Sequence, residues 1–186
     1  MPSFSDLTLT TPRLLLRPLR DTDARALFAI FSDPAVMRYW STPPWSALEQ
    51  AQASIEQDRQ AIAAGEALRL GLERREDRAL IGTCSLFSIS MQCRRAELGY
   101  GMARRAWGQA YMQEALQALL DFGFSEALGL KRIEADIDPR NQGSARTLER
   151  LGFVQEGLLR ERWIVGDEVS DSALYGLLRR DWRPQT

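Results

Sequence analysis

Histidine is missing from all 186 residues, and that one absence removes a good deal of chemistry. Without an imidazole there is no Ser/His/Asp or Cys/His triad, and the commonest zinc sites are excluded, so no metal is expected. Acid–base work falls instead to carboxylates, tyrosine, serine, cysteine, water or backbone groups. Cysteine is scarce. Cys84 and Cys93 lie on or beside one strand-like stretch and make no C-x-x-C pair, which predicts reduced, structural thiols. Neither has an evident activating base, so neither is expected to act as a nucleophile. Lysine is reduced to Lys131 among 24 basic residues, which 25 acidic ones balance to a net charge of −1. The basic residues are scattered, and the footprint of a nucleic-acid binder is missing. Long apolar runs are lacking too. The stretch from Met1 to Arg20 alternates and carries charges and prolines, which argues against a signal peptide or membrane span and leaves a cytoplasmic location as the expectation.

With 45% hydrophobic and 26% charged residues, the chain is expected to be one globular domain, residues 1–186, that buries a true core. Thr11-Pro12 ends a lead that looks disordered. Leu14 to Leu19 alternates as a first strand, and Asp21 to Ser32 follows as a helix with Leu27, Phe28, Ile30 and Phe31 on its buried stripe. A turn-rich segment with three aromatics, Tyr39, Trp40 and Trp45, precedes the capping signature Ser46-Ala47-Leu48-Glu49 of a second helix running to about Ala64, before Gly65. Leu68 to Glu73 and Leu80 to Ile89 read as an antiparallel hairpin, and Arg95 to Met102 as a further strand in which Gly99 and Gly101 suggest close approach to the backbone. The pattern from about Gln109 to Leu128 predicts the longest helix. A strand at Arg132 to Ile137, a helix from Asn141 to Leu151 ended by Gly152, and a hairpin of Phe153 to Trp163 with Val169 to Leu178 complete the order. Hairpins mixed with a strand–helix–strand crossover predict a mixed α/β sheet with helices on both faces.

Between the strand at Arg95 and the long helix stands Arg105-Ala106-Trp107-Gly108-Gln109-Ala110. Glycine admits an anion close to the backbone, the first helical turn offers unpaired N–H groups, and the helix dipole favours negative charge. Arg104 and Arg105 add fixed positive charge. A second segment about thirty residues on, Asp138-Pro139-Arg140-Asn141-Gln142-Gly143-Ser144, joins it in suggesting an acyl-coenzyme A site.

Thr11-Pro12-Arg13-Leu14, Glu97-Leu98-Gly99-Tyr100, the R-x-x-G-x-A turn, Pro139-x-Asn141-x-x-Ser144 and Leu148-Glu149-Arg150-Leu151-Gly152-Phe153 occur in the order and spacing of one family. From Thr11 to Trp182 the chain resembles the GNAT (Gcn5-related) N-acetyltransferases, and within them the RimJ/RimL-like branch of ribosomal-protein N-terminal acetyltransferases. The resemblance implies a mostly antiparallel sheet splayed between its fourth and fifth strands, with acetyl-CoA as co-substrate. Backbone amides from Arg105 through Trp107, Gly108 and Gln109 to Ala110, with Arg104 beside them, would cradle its pyrophosphate. Leu98, Tyr100, Met102 and Ala103 would bond the pantetheine arm along the splayed strand, Asn141 would touch it from the opposite wall, and Ser144 would lie near the sulfur. The tyrosine many members place seven residues after this asparagine is Leu148 here, so Ser144 becomes the candidate to serve the leaving thiolate.

Acetyl transfer needs a neutral amine, yet α-amino and lysine-type amines have pKa values near 8 and 10.4. Glu97 is the expected base, because it begins the strand whose far end meets the thioester and alternation puts it on the side of Gly99 and Gly101; the bland alternative is a surface pair with Arg94 or Arg95. A backbone N–H near Met102 is expected to receive the oxyanion. Tyr39, Trp40 and Trp45 are candidates to line the acceptor opening, whether the acceptor is a peptide N-terminus or a small amine. An exposed C-terminal hairpin edge permits a homodimer. Two other readings compete: a GNAT-like module that binds CoA without catalysis, and a dinucleotide oxidoreductase, which lacks G-x-G-x-x-G.

Overall fold

Period-two burial lays out the sheet. In β2 (Leu14–Pro18) Leu14 and Leu16 are fully buried while Leu15 is half-exposed, and in β3 (Leu68–Arg74) Leu68, Leu70 and Leu72 repeat the pattern. The computed structural model describes residues 4–184. With β1 (Leu9–Thr10), β4 (Leu80–Ser90), β5 (Arg95–Met102), β6 (Arg132–Ile137), β7 (Val154–Val165) and β8 (Glu168–Leu178), these strands form one eight-stranded sheet in the order β1-β2-β3-β4-β5-β6-β8-β7. Every neighbouring pair is antiparallel except β5–β6. That parallel ladder covers Arg95↔Arg132, Ala96↔Ile133 and Glu97↔Glu134, and then stops. The strands diverge beyond it, β5 staying with β4 and β6 with β8. The expected splay is therefore present, between the fifth and sixth strands because β1 adds one at the start.

Helices cover both faces. On one, α4 (Tyr111–Phe124) and α5 (Gln142–Arg150) bury Ala115, Leu116, Leu119, Leu120 and Leu148 against Leu98, Ile133 and Ala135. On the other, α1 (Ala24–Phe31), α2 (Pro34–Met37) and α3 (Leu48–Ala64) gather Leu27, Ile30, Phe31, Val36, Ala51 and Ile55 with Leu80 and Ala103. Alternation along β5 separates the two: Leu98 belongs to the first cluster, while a Cβ on Gly101 would lie 3.1 Å from the Phe31 and Trp40 rings of the second.

Several sequence expectations need correcting. The lead before Thr11 is structured among the described residues: Leu9–Thr10 pair with β2, and Phe4 is buried. A two-residue strand is too short to show a period. The helix after the phosphate-type turn is not the longest, since α4 has 14 residues and α3 has 17. It ends at Phe124, where Ser125 turns extended and its hydroxyl donates to the Phe122 carbonyl, although burial at Leu128 and Leu130 continues the apolar pattern past the helical backbone. At the start of α3 the reach-back comes from Gln50, whose Oε1 accepts from the Ser46 and Ala47 amides; Glu49 is exposed. Between the first helix and Tyr39, where no element was expected, stands α2, capped by Asp33 accepting from the Ala35 amide and opened by Pro34.

Candidate active site

The direction of the peptide groups in β5 decides what the splay exposes. Ala103 N–H donates to the Ile81 carbonyl on the β4 side, whereas the Arg94 carbonyl accepts from Arg132 N–H on the β6 side. Peptide groups alternate edges along a strand, so those of Leu98, Tyr100 and Met102 point into the gap. The last parallel rung uses Leu98 N–H. What remains is the Leu98 carbonyl, both groups of Tyr100 and Met102 N–H, the Met102 carbonyl being taken by the Trp107 indole at 2.8 Å. Unpaired backbone groups in a partly enclosed cleft cost about 1–3 kcal/mol each, so such an edge suits an extended, amide-bearing ligand that completes it.

At the open end of β5 the chain makes one 3-10 turn (Arg104–Ala106) and reaches α4 through Trp107 to Ala110, all four of them exposed. Gly108 has φ +74° and open space where a Cβ would stand. Among the described residues the N–H groups of Gly108, Gln109 and Ala110 have no backbone acceptor, and the first turn of α4 adds its own. Such a set of unpaired donors suits an anion. Arg104 approaches Asp33 at 3.7 Å with its side chain largely exposed, and Arg105 reaches the Leu80 carbonyl at 3.4 Å.

Ala110 takes φ +60° at the N-cap of α4, a conformation that is costly for a residue bearing a Cβ. Ala110→Gly is expected to relieve it and raise stability by about 1 kcal/mol, a gain of about 2–4 °C in Tm for a chain of this size. A lower Tm would show that the turn is not strained.

A brace behind this turn escaped the sequence reading. Glu114, in the first turns of α4, accepts from the Thr11 hydroxyl at 2.6 Å and the Arg13 amide at 2.8 Å through one oxygen, and from Arg13 Nε at 2.6 Å through the other. Arg13 also donates to the Gln109 carbonyl and lies over the Tyr111 ring. Burial pushes the Glu114 carboxyl up, but the bonds from Thr11 and Arg13 outweigh it and hold it below the usual carboxylate range. Thr11-Pro12-Arg13-Leu14, noticed in the sequence only as a motif, thus ties the first strands to the helix that presents the donors. Its spacing to Glu114 offered no local signal.

The two walls differ. Glu97, Gly99 and Gly101 share one face of the sheet, where the Phe31 and Trp40 rings lie on Gly101 and the Phe87 ring and Ser85 hydroxyl lie on Gly99. Glu97 is half-buried and forms no ion pair among the described residues; Arg95 pairs instead with Glu134 at 2.9 Å. Tyr100 faces α5 and donates to the Ser144 carbonyl at 3.4 Å, and burial pushes its phenol up to about 12. Asn141 caps α5 by accepting from Ser144 N–H at 3.1 Å, which leaves the Ser144 hydroxyl free of the capping task. Leu148 is wholly buried, consistent with packing rather than acid chemistry. Cys84 is buried, which pushes its thiol well above its ordinary value, and Cys93 is exposed.

Of the three aromatics, Tyr39 lies near the guanidinium groups of Arg38 and Arg140, which Glu168 at the hairpin tip joins through salt bridges at 2.8 and 2.7 Å. Trp40 packs edge-on against Phe31 beside the gap, while Trp45 sits tilted on Phe31, 5.0 Å between centroids, with its amide bonded to the Phe31 carbonyl. The structure brings Trp40 to β5 and places Trp45 in the cluster beneath the loop.

Residues 13–154 match the family model described as an acetyltransferase (GNAT) domain. The chain belongs to the GNAT acetyltransferase family. It is 37% identical over 94% of its length to an uncharacterised N-acetyltransferase, p20, of Bacillus licheniformis, covering 98% of that protein. To the ribosomal protein uS5-alanine N-acetyltransferase of Escherichia coli it is 27% identical, over 95% of this chain and 93% of the other. RimJ of Mycobacterium smegmatis, solved in complex with CoA-disulfide, superposes with a TM-score of 0.88 at 26% identity, over all of this chain and 92% of that one. As a GNAT N-acetyltransferase, the protein uses acetyl-CoA as co-substrate and an amine as acceptor. No helix of this acetyltransferase, among the described residues, is long and apolar enough to cross a membrane.

Proposed function

We propose that this acetyltransferase acylates a primary amine at the end of a slender chain, a protein N-terminal α-amine first and small aliphatic amines second. The observation that carries the reading is the open edge of β5 from the Leu98 carbonyl to Met102 N–H, running from the donor-rich turn at Gly108 to the vertex at Glu97. The pantetheine arm lies along this edge as an extra strand, with its diphosphate on the amides of Gly108, Gln109 and Ala110 and with Asn141 and Ser144 on the facing wall. The acceptor comes from the opposite face, past Trp40 and Tyr39. The E. coli relative's acceptor, an alanine of ribosomal protein uS5, supports an amino-acid amine of a protein as first choice.

Glu97 takes one proton from the ammonium, directly or through a water; the neutral nitrogen attacks the thioester carbon, the oxyanion collapses with cleavage of the carbon–sulfur bond, and the nitrogen's surplus proton passes to the thiolate. Met102 stands too close to the phosphate turn to reach a group at the far end of the pantetheine arm, so we place the oxyanion donor at Tyr100 N–H. The Ser144 hydroxyl meets the departing thiolate, which with a pKa near 8.5 needs little help. A cytoplasmic location and a homodimer along the exposed β7 edge, where Val154, Leu158 and Ile164 face solvent, belong to the same reading.

Acetyl-CoA or CoA at about 100 times its Kd is expected to stabilise the protein by about 2.7 kcal/mol, a rise of about 5–10 °C in Tm, with NAD giving none. Thiol release should follow with peptide N-termini. Stabilisation by NAD alone, or CoA binding with no turnover of any amine, overturns the reading.

A further inference from the structure

The acceptor side of the split contains a second carboxylate besides Glu97. Asp136 lies on β6 two residues past Glu134, the last residue paired with β5. Carried onward, the same register sets Asp136 level with Gly99, over which Phe87 and Ser85 of β4 lie. Ile133 and Ala135 point into the core under α4 and α5, so alternation turns Asp136 to the other face, the one shared by Glu97, Gly99 and Gly101.

The side chain is held in place. Its Oδ1 accepts from the Ser172 hydroxyl at 2.5 Å, and Ser172 Oγ in turn accepts from the Trp163 indole N–H at 3.0 Å. Ser172 has no exposed surface although Asp136 itself is exposed, so a buried relay anchors an open carboxylate. Trp163 reaches this position because the β7–β8 register shifts between Leu159 and Trp163.

Arginine is abundant here, yet none neutralises this group. Glu134, Asp138, Glu156 and Glu168 each meet at least one guanidinium, while Asp136 has no ion pair among the described residues. Arg162, the nearby cation on β7, stacks over the Trp163 ring at 5.3 Å instead. A fixed, unneutralised carboxylate oriented by a hydroxyl, facing an unpaired backbone edge across a cleft, suits a compact cation able to donate several hydrogen bonds.

We propose that Asp136 is the acceptor-binding counter-charge of this enzyme: its free Oδ2 receives the incoming primary ammonium in the split and holds it against the thioester until Glu97 removes the proton. Ser172 and Trp163 act through it as positioning residues. This rests on the amine-acceptor reading above and names the residue that selects cationic amines over neutral ones.

Asp136→Asn, with wild-type shape and no charge, tests it by steady-state thiol release on the full chain. A peptide or alkyl amine, protonated at neutral pH, should show a KM raised about 10- to 100-fold, the value of a lost charge-assisted hydrogen bond. An aromatic amine, uncharged at that pH, should show an unchanged KM, as should acetyl-CoA. Ser172→Ala should raise the alkylamine KM less, leaving kcat near wild type, and the CoA-induced thermal shift should persist in both variants. An unchanged alkylamine KM in Asp136→Asn, or an equal rise for both amine types, overturns the role of Asp136 while leaving the acetyltransferase reading intact. Absence of wild-type turnover with every amine overturns both.

Discussion

Glu97→Gln is expected to lower kcat by about 10²–10⁴-fold, the contribution of a positioned proton acceptor, with the KM for acetyl-CoA unchanged. The expectation rests on place as much as on chemistry. Glu97 is the last β5 residue paired with β6, so its side chain stands at the vertex of the split on the face shared with Gly99 and Gly101, and no arginine holds it there among the described residues. Glutamine keeps that shape and cannot take a proton. Because an α-amine has a pKa near 8, the fraction already neutral grows with pH, and the defect should shrink as pH rises through that value. Pre-steady-state or steady-state thiol release across a pH series checks both features. A variant that kept full rate at every pH would remove Glu97 from the chemistry and leave the fold argument standing.

Asp23→Ala should have the largest effect on stability, about 3–5 kcal/mol, or a fall of about 6–20 °C in Tm. Arg17 on β2 is 5% exposed and Asp23, before α1, is 7% exposed. The guanidinium donates to both Asp23 oxygens, at 2.7 and 3.0 Å, and through Nε to Glu73 at 2.6 Å; Asp23 also accepts from the Arg20 amide at 2.7 Å. Alanine leaves Arg17 buried with half of its partners, and an uncompensated buried charge costs far more than an exposed pair returns. Burial alone would raise the Asp23 carboxyl, but its bonds from Arg17 and Arg20 win and lower it. A depressed carboxylate stabilises the fold above its unfolded pKa, near 3.9, and that stability is lost as pH falls through the lower folded value. Melts of wild type and variant should therefore converge in acid. Adding Arg17→Met should recover part of the loss; equal and additive costs would mean that the pair is not coupled.

Much of this molecule could be read along the chain, and the limit falls where contacts become long-range. Strand and helix types were legible because burial repeats every two or about 3.6 residues, and Gly65 and Gly152 closed their helices as expected, both at positive φ. The parity of Glu97, Gly99 and Gly101 followed from alternation alone. By contrast β1 is too short for any period, and burial past Phe124 disguised the end of α4. The brace of Thr11 and Arg13 on Glu114 joins residues 103 and 101 positions apart, and the anchoring of Asp136 by Ser172 spans 36. Neither spacing carries a sequence signature.

The order of residues by itself determined most of the elements, the glycine turn at Gly108 and the lack of imidazole chemistry, since each depends on local backbone preference or on side-chain inventory. Tertiary structure alone decided that β5 and β6 part after three rungs, that the Tyr100 peptide group is left facing the gap, and that Asp136 stands beside that gap with no arginine paired to it among the described residues. Those outcomes depend on which neighbour each strand keeps and on which charges meet across the sheet, and no local preference encodes either.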